Sequence, residues 1–497
     1  MPGIAEWIDR HAERAPDAPA LRFEGATTTY AGLAAQSARA ARFLGHDLGL
    51  AAGERVAFLG ANRPERLVLT FAAARAGLIL VPLNWRLADP ELAAILANAD
   101  PAALVVEAGL AERVPAILPE TTRRHVLTSP EAMAGSPGPA PDRGGPGLPL
   151  LVVYTSGTTG EPKGAVLTQK AVACNALNSI HMHDLTAADH VLTVLPMFHV
   201  GGLNIQTLPA LSCGATVTLH PRFDAGATLA AIAADRPSLT LLVPATMRAM
   251  ITHPAWLTTD LSSLRAVATG STDVPVPLIE AFHARGVPVI QVYGSTETAP
   301  VCLYQRVDEA FRTVGSIGRA GRHSDIRLID ETGREVPDGT PGEILVRGDN
   351  VAEGYWREPE LTIAAFRDGW FHSGDVALRD SAGLYWFRDR IKNVIISGGE
   401  NIYPAELERI LSTVPGIAEA AVVGRPDPRW GEVPVAVVAL NDETLDREDI
   451  LAAFHGRLAR FKHPKDVLFL PALPRNAMGK VVVEDLRRMV GAGYEQG

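Results

Sequence analysis

Between Tyr154 and Gly164 the chain reads Tyr-Thr-Ser-Gly-Thr-Thr-Gly-Glu-Pro-Lys-Gly. Thr155, Ser156, Thr158 and Thr159 can donate hydrogen bonds, while Gly157, Gly160 and Gly164 let backbone N–H groups approach an anion with no Cβ in the way. Lys163 adds a positive charge. The apolar residues Leu151, Val152 and Val153 lead in, so the stretch reads as a strand ending in a mobile loop able to cradle phosphates. It is not a loop of the Walker type, because Pro162 precedes Lys163 and Gly164 follows it.

Other stretches carry chemistry of their own. Val292-Tyr-Gly-Ser-Thr-Glu-Thr298 follows the apolar run 287–292, which places it at the carboxyl end of a strand, where ligands collect in open α/β sheets. Tyr293 offers a flat face for a purine, Thr296 a hydroxyl for a phosphate and Glu297 a hard oxygen for Mg²⁺. Read alone, this is also an ordinary strand-to-helix turn with a Ser or Thr cap. Ala268-Thr-Gly-Ser-Thr272 follows a strand in the same way. In Phe371-His-Ser-Gly-Asp375 the carboxylate could accept two hydrogen bonds from a ribose diol, although Ser-Gly-Asp is commonly a surface turn. Pro474-Arg-Asn-Ala-Met-Gly-Lys480 is a polar turn with one lysine, a residue usually solvated at such places.

These stretches need elements to hold them. Residues 31–44, 64–76 and 90–99 read as helices, and 55–59, 78–82 and 103–106 as strands; such alternation implies βαβ units and a mostly parallel, covered sheet. Residues 129–149, rich in Pro, Gly and Ser, read as a linker. Buried strands follow at 191–195, 216–219, 239–243, 266–268 and 288–293. From about 313 short strands separated by turns (326–329, 342–347, 384–387) suggest an antiparallel, barrel-like section. The last hundred residues mix strands at 393–396, 419–424, 433–440 and 467–470 with helices at 404–411 and 447–458, the texture of a second domain.

The 497 residues are 47% hydrophobic and 21% charged, the balance of a globular chain with a large core. A net charge of −10 gives no electrostatic footprint for nucleic acid. Cys174, Cys213 and Cys302 lack metal-ligand spacing and read as core residues of a reducing compartment. Neither a signal peptide nor a membrane-spanning segment is evident, so a cytoplasmic location is expected.

Taken together and in their order along the chain, the stretches resemble the signatures of the adenylate-forming superfamily, which includes acyl-CoA synthetases, adenylation domains of peptide synthetases and luciferases. The resemblance implies an α/β fold: a large N-terminal domain of stacked, mostly parallel αβα sheets with a small barrel-like section (1–391), then a small mobile α+β domain (392–497) hinged at Lys392. It assigns ATP or AMP to Thr155 through Gly160, Lys163, Gly270, Ser271, Thr272, Tyr293, Gly294, Thr296, Asp375 and Arg390, and Mg²⁺ to Glu297. Lys480 becomes the mobile catalytic lysine and a target for acetylation, with Thr296, Glu297 and His199 also catalytic. Ser397, Gly398 and Gly399 would line the coenzyme A channel.

Within that superfamily, Leu195-Pro-Met-Phe-His-Val-Gly-Gly202 points away from amino acids. Peptide-synthetase domains usually place Asp after the Phe to hold an α-ammonium, and the neutral imidazole of His199 does not suit a cation. The implied acyl pocket takes in His199, Val200, Gly201, Met247, Thr269 and Pro300. The expected activity is an AMP-forming carboxylic acid–CoA ligase acting on a medium-chain fatty or aryl acid. Loading of a carrier protein, or a dicarboxylate substrate (malonate or succinylbenzoate) met by Arg248, are the alternatives. The sequence leaves homodimerisation open.

Overall fold

Residues Arg55–Leu59 form a strand buried on both faces: Val56 and Phe58 join one apolar cluster, Ala57 and Leu59 another. A strand without polar alternation needs cover on both sides, which a parallel sheet flanked by helices provides. Leu80, Leu151 and Val153 lie in the first cluster, and Ile79, Val81, Leu83 and Val152 in the second, so the neighbouring strands repeat the pattern.

The computed structural model describes residues 3–118, 125–127, 138–156, 162–271, 274–398, 400–441, 444–476 and 480–492. The chain divides into two compact units. One comprises Met1–Thr272, Ala281–Ile326 and Leu345–His372; the other comprises Asp273–Glu280, Arg327–Ile344 and Ser373–Gly497.

The first unit carries two large sheets. In the seven-stranded sheet the order is Gly354–Tyr355, Pro162–Thr168, Pro149–Ser156, Ile79–Leu83, Arg55–Leu59, Ala103–Val106 and His125–Leu127. Its strands from Pro149–Ser156 to His125–Leu127 run parallel, and the two at the other edge are antiparallel. The nine-stranded sheet has a parallel centre in the order Val289–Tyr293, Ala266–Gly270, Leu239–Leu242, His190–Thr193, Thr216–Leu219 and Pro19–Phe23. One buried cluster draws on both sheets and on helices Ile4–Arg14, Tyr30–Arg42, Pro64–Ala76, Gln169–His183 and Leu208–Cys213.

In the second unit, strands Glu400–Ile402, Ile395–Ser397, Gly431–Leu440 and Ile417–Asp427 form a sheet in that order, with Asp466–Phe469 parallel to Gly431–Leu440. Val422, Ala436 and Val438 pack with helices Pro404–Leu411 and Arg447–Ala452 on one face; Val423, Val435 and Val437 pack with Val483–Ala492 on the other. The α+β reading of this region holds. The helix expected over 447–458 stops at Ala452, and Gly456 turns the chain with φ 73°. Residues 129–137 of the expected linker lie outside the described residues.

Candidate active site

The two ends of the phosphate stretch lie on paired strands. Pro149–Ser156 pairs antiparallel with Pro162–Thr168, setting Thr155 opposite Lys163 and Ser156 opposite Pro162. Gly157, Thr158, Thr159 and Gly160 lie outside the described residues. Gly164 is glycine for a local reason: a Cβ there would meet Val152 Cγ1 at 2.7 Å and the Tyr154 ring at 3.1 Å. The Tyr154 hydroxyl donates to Asn98 Oδ1 at 2.5 Å, fixing the ring.

The edge strand Gly354–Tyr355 belongs to a strap that joins this hairpin to Glu297. On one side Glu353 N donates to Val166 O and Trp356 N to Gly164 O, at 3.0 and 2.7 Å. On the other, Ala352 N donates to Glu297 O at 2.8 Å, and the Tyr355 hydroxyl donates to Glu297 Oε1 at 2.8 Å. Lys163 Nζ stands 5.8 Å from the centre of the Tyr355 ring. Lys163, Tyr355 and Glu297 thus form one group.

Glu297 sits in a 3-10 turn, Thr296–Thr298, directly after strand Val289–Tyr293. The turn is tight: a Cβ on Gly294 would lie 1.6 Å from Pro300 O, and one on Gly270 of the neighbouring strand 2.2 Å from Val292 O. Four buried asparagines hold the backbone that follows. Asn350 Nδ2 donates to Thr298 O (2.9 Å), Asn204 Nδ2 to Ala299 O (3.1 Å) and Asn178 Nδ2 to Val301 O (2.9 Å), while Asn175 Oδ1 accepts from Val301 N (2.8 Å). Thr296 is buried, and Tyr293 and Glu297 are half-buried.

His199 caps the short helix Val200–Gly202, its Nδ1 accepting from Gly201 N at 3.1 Å, which leaves the proton of the neutral ring on Nε2. A Cβ on Gly201 would stand 4.0 Å from Ser271 Oγ, so the His199 and Ser271 turns adjoin. Val200, Gly201, Met247, Thr269 and Pro300 are buried, and Ser271 is exposed with φ 73°. The hydroxyl oxygens of Thr269 and Ser295 are buried without a partner among the described residues. Thr272 lies outside those residues.

The remaining sequence-predicted residues belong to the second unit. Asp375 is inside the strand Trp370–Arg379 instead of on a turn, opposite Arg390 in register, and its Oδ1 forms an ion pair with Arg390 Nε at 3.2 Å. Ser373 Oγ accepts from Asp375 N at 3.1 Å, and Glu343 Oε1 accepts from Gly374 N at 3.0 Å. Lys392 follows in a 3-10 turn; partial burial, then Arg390 and Arg487, hold its ammonium below the usual lysine range. Asn393 Nδ2 donates to Asp389 Oδ1 at 3.2 Å, and Asp389 Oδ2 accepts from Ala405 N at 2.7 Å, serving the start of helix Pro404–Leu411. A carboxylate at 393 could not make that donation. Gly398 has φ 61° and a Cβ there would meet Trp430 Cε3 at 2.8 Å; Gly399 lies outside the described residues. Lys480 closes a turn in which its N donates to Asn476 Oδ1 and its O accepts from Asn476 N.

Among the described residues no group of three or more His, Cys, Asp or Glu could hold a metal. One half-buried carboxylate, Glu297, beside a phosphate hairpin still fits Mg²⁺, which binds through one or two carboxylates plus substrate phosphates and keeps several waters. Sequence reasoning missed Tyr355, the four asparagines, Glu343 and Trp430. Only Tyr355 had any local signal, a Gly-Tyr-Trp run with strand-forming aromatics, and nothing there points to Glu297, which is 58 residues away.

Comparison with known proteins identifies the family. Residues 8–356 match the model of the AMP-binding enzyme family, and 406–480 that of the AMP-binding enzyme C-terminal domain. The chain is 49% identical to an indoleacetate–CoA ligase of Aromatoleum aromaticum, covering 98% of each chain. It is 42% identical to a feruloyl-CoA synthase of an Amycolatopsis species, over 98% of this chain and 99% of that one. The structure of ATP-bound MatB from Rhodopseudomonas palustris superposes with a TM-score of 0.91 at 32% identity, covering 99% of both chains. The chain therefore belongs to the AMP-binding enzyme family of adenylate-forming proteins, as an acid–thiol ligase of the acyl-CoA synthetase type.

Proposed function

We propose that the chain joins an aryl-bearing carboxylic acid to coenzyme A, with ATP cleaved to AMP and pyrophosphate. The observation that carries the adenylation site is the grouping of Lys163, Tyr355 and Glu297 on the phosphate hairpin and its strap. The choice of an aryl acid rests on the two relatives named for indoleacetate and ferulate, each an aromatic ring on a short carbon spacer.

In the first half-reaction a carboxylate oxygen attacks the α-phosphorus, and the bond from phosphorus to the pyrophosphate oxygen breaks. Lys163 and the hydroxyls of the hairpin hold the phosphates, and Tyr293 packs against the adenine. Asp375 accepts from the ribose diol, its carboxylate aimed by the ion pair with Arg390. Lys480 neutralises charge between carboxylate and phosphate. Mg²⁺ bound at Glu297 would offset the charge of the phosphates. In the second half-reaction the thiol sulfur attacks the acyl carbon, AMP leaves with the carbon–oxygen electron pair, and the thiol proton passes to solvent. A turn about Lys392 brings Gly398 and Gly399 to the thiol, where a side chain would block its path. The imidazole of His199 and the adjoining Gly201 border the acyl group.

The test is pyrophosphate release with indoleacetate, hydroxycinnamates, fatty acids of graded length and malonate, each with and without coenzyme A. Turnover stimulated by coenzyme A and highest for an aryl acid is expected. Lys480→Ala should lower adenylation at least 10²-fold, in line with removal of a charge aimed at the transition state. Preference for fatty acids or malonate would overturn the aryl assignment, and release indifferent to coenzyme A would overturn the acceptor.

A further inference from the structure

The strap at 350–356 is fastened at both ends, and the Tyr355 side chain reaches both Glu297 and Lys163. Asn350 and Ala352 hold backbone carbonyls of Thr298 and Glu297, while Glu353 and Trp356 hold backbone carbonyls of the phosphate hairpin. Tyr355 lies between these attachments. Its backbone pairs with Ala165, two residues from Lys163, and its hydroxyl reaches the carboxylate of Glu297.

We propose that Tyr355 is a positioning residue for the metal–nucleotide complex: its phenol holds Glu297 Oε1, so that Oε2 is presented to the cation in register with Lys163 on the hairpin. A carboxylate on a two-carbon stem has several rotamers of similar energy, and only some of them aim an oxygen at a cation bound to the phosphates. A hydrogen bond to one oxygen selects among them before the ligand arrives. Hydrogen bonds to charged acceptors are stronger than neutral ones, so the selection is substantial. The ring does a second job, since its face lies beside the Lys163 ammonium and limits where that charge can stand. Tyr355 itself touches neither substrate nor metal in this reading.

The proposal rests on Glu297 being the metal carboxylate, and the experiment separates the two. Binding of ATP to the full chain is measured by calorimetry with EDTA present and with Mn²⁺ present, and Mn²⁺ occupancy is followed by electron paramagnetic resonance, for wild type, Tyr355→Phe, Glu297→Gln and the double variant. Phenylalanine keeps the ring and its packing, and equal thermal midpoints will establish that the fold is kept. Tyr355→Phe should weaken Mn²⁺·ATP about tenfold, leave metal-free ATP within twofold, and add nothing in the Glu297→Gln background. An equal loss with and without metal would show a displaced hairpin and overturn the proposal. So would an unchanged Mn²⁺ affinity, or a full additional loss in the double variant. If Glu297→Gln itself leaves Mn²⁺ binding intact, the metal assignment fails, whatever Tyr355→Phe does.

Discussion

Arg66 is fully buried on helix Pro64–Ala76, with one hydrogen bond, from Nη2 to Gly60 O at 2.9 Å. Its guanidinium lies 4.4 Å from the centre of the Phe58 ring, and Nε and Nη1 have no partner among the described residues. Burial pushes its pKa down to about 9, the mark of a charge held at a cost. Replacing a poorly satisfied buried charge by an apolar side chain of similar length tends to stabilise. Arg66→Met is therefore expected to raise stability by about 1–2 kcal/mol, read as a higher thermal midpoint; a lower midpoint would mean that the ring contact outweighs the stranded donors. At this scale the sequence speaks unevenly. Glu297, Asp375 and Lys480 were legible because their types and neighbours form recurring signatures. Arg66 was not, since a lone arginine in a helix reads as solvated, and only the fold reveals that this one faces inward.

The helix Gln169–His183 shows the same limit among elements. Its buried face carries Gln169, Asn175, Asn178, Ser179 and His183, so the apolar period that announces a helix is broken, and the element goes unread in the sequence. Its asparagines bind backbone at Val301 and His323. Strand Arg55–Leu59 and helix Pro64–Ala76 were easy by contrast, one through an unbroken β-friendly run and the other through proline at its start and Gly77 at its end. His183 closes the polar helix. Its Nδ1 donates to Ser179 O and its Nε2 accepts from Gln206 Nε2, at 2.9 and 3.1 Å, an arrangement open only to the neutral ring. Burial brings its pKa down to about 4. The unfolded chain therefore takes up this proton first as pH falls. The contribution is complete above about pH 6.5 and is lost towards pH 4, amounting to ~3 kcal/mol at most. The midpoint of wild type should drop over that range more steeply than that of His183→Gln; parallel curves would remove His183 as the cause.

For the whole molecule, the site residues divide between the two units. Lys163, Thr296, Glu297 and His199 belong to the first, and Asp375, Arg390, Gly398 and Lys480 to the second. The proposed reaction uses Lys480 in one step and Gly398 in the next, and its expected pivot is the turn Ile391–Asn393, which lies within the second unit. Lys392→Pro, which fixes φ at that turn, should leave acyl-AMP formation within a few-fold and lower thioester formation 10²-fold or more. Single-turnover assays of the two steps check this; equal losses in both would place the pivot elsewhere.

The strap also has a consequence in time. The seven-stranded sheet receives its edge strand Gly354–Tyr355 from a point in the chain far beyond its neighbour Pro162–Thr168, with residues 169–353 made in between. On a ribosome adding about 5–20 residues per second, that interval is on the order of ten seconds or more. Through that interval the hairpin edge lacks its partner strand, and Glu297, once made, waits for its phenol. In the growing chain the proposed nucleotide site is thus joined late, after most of both sheets has been made.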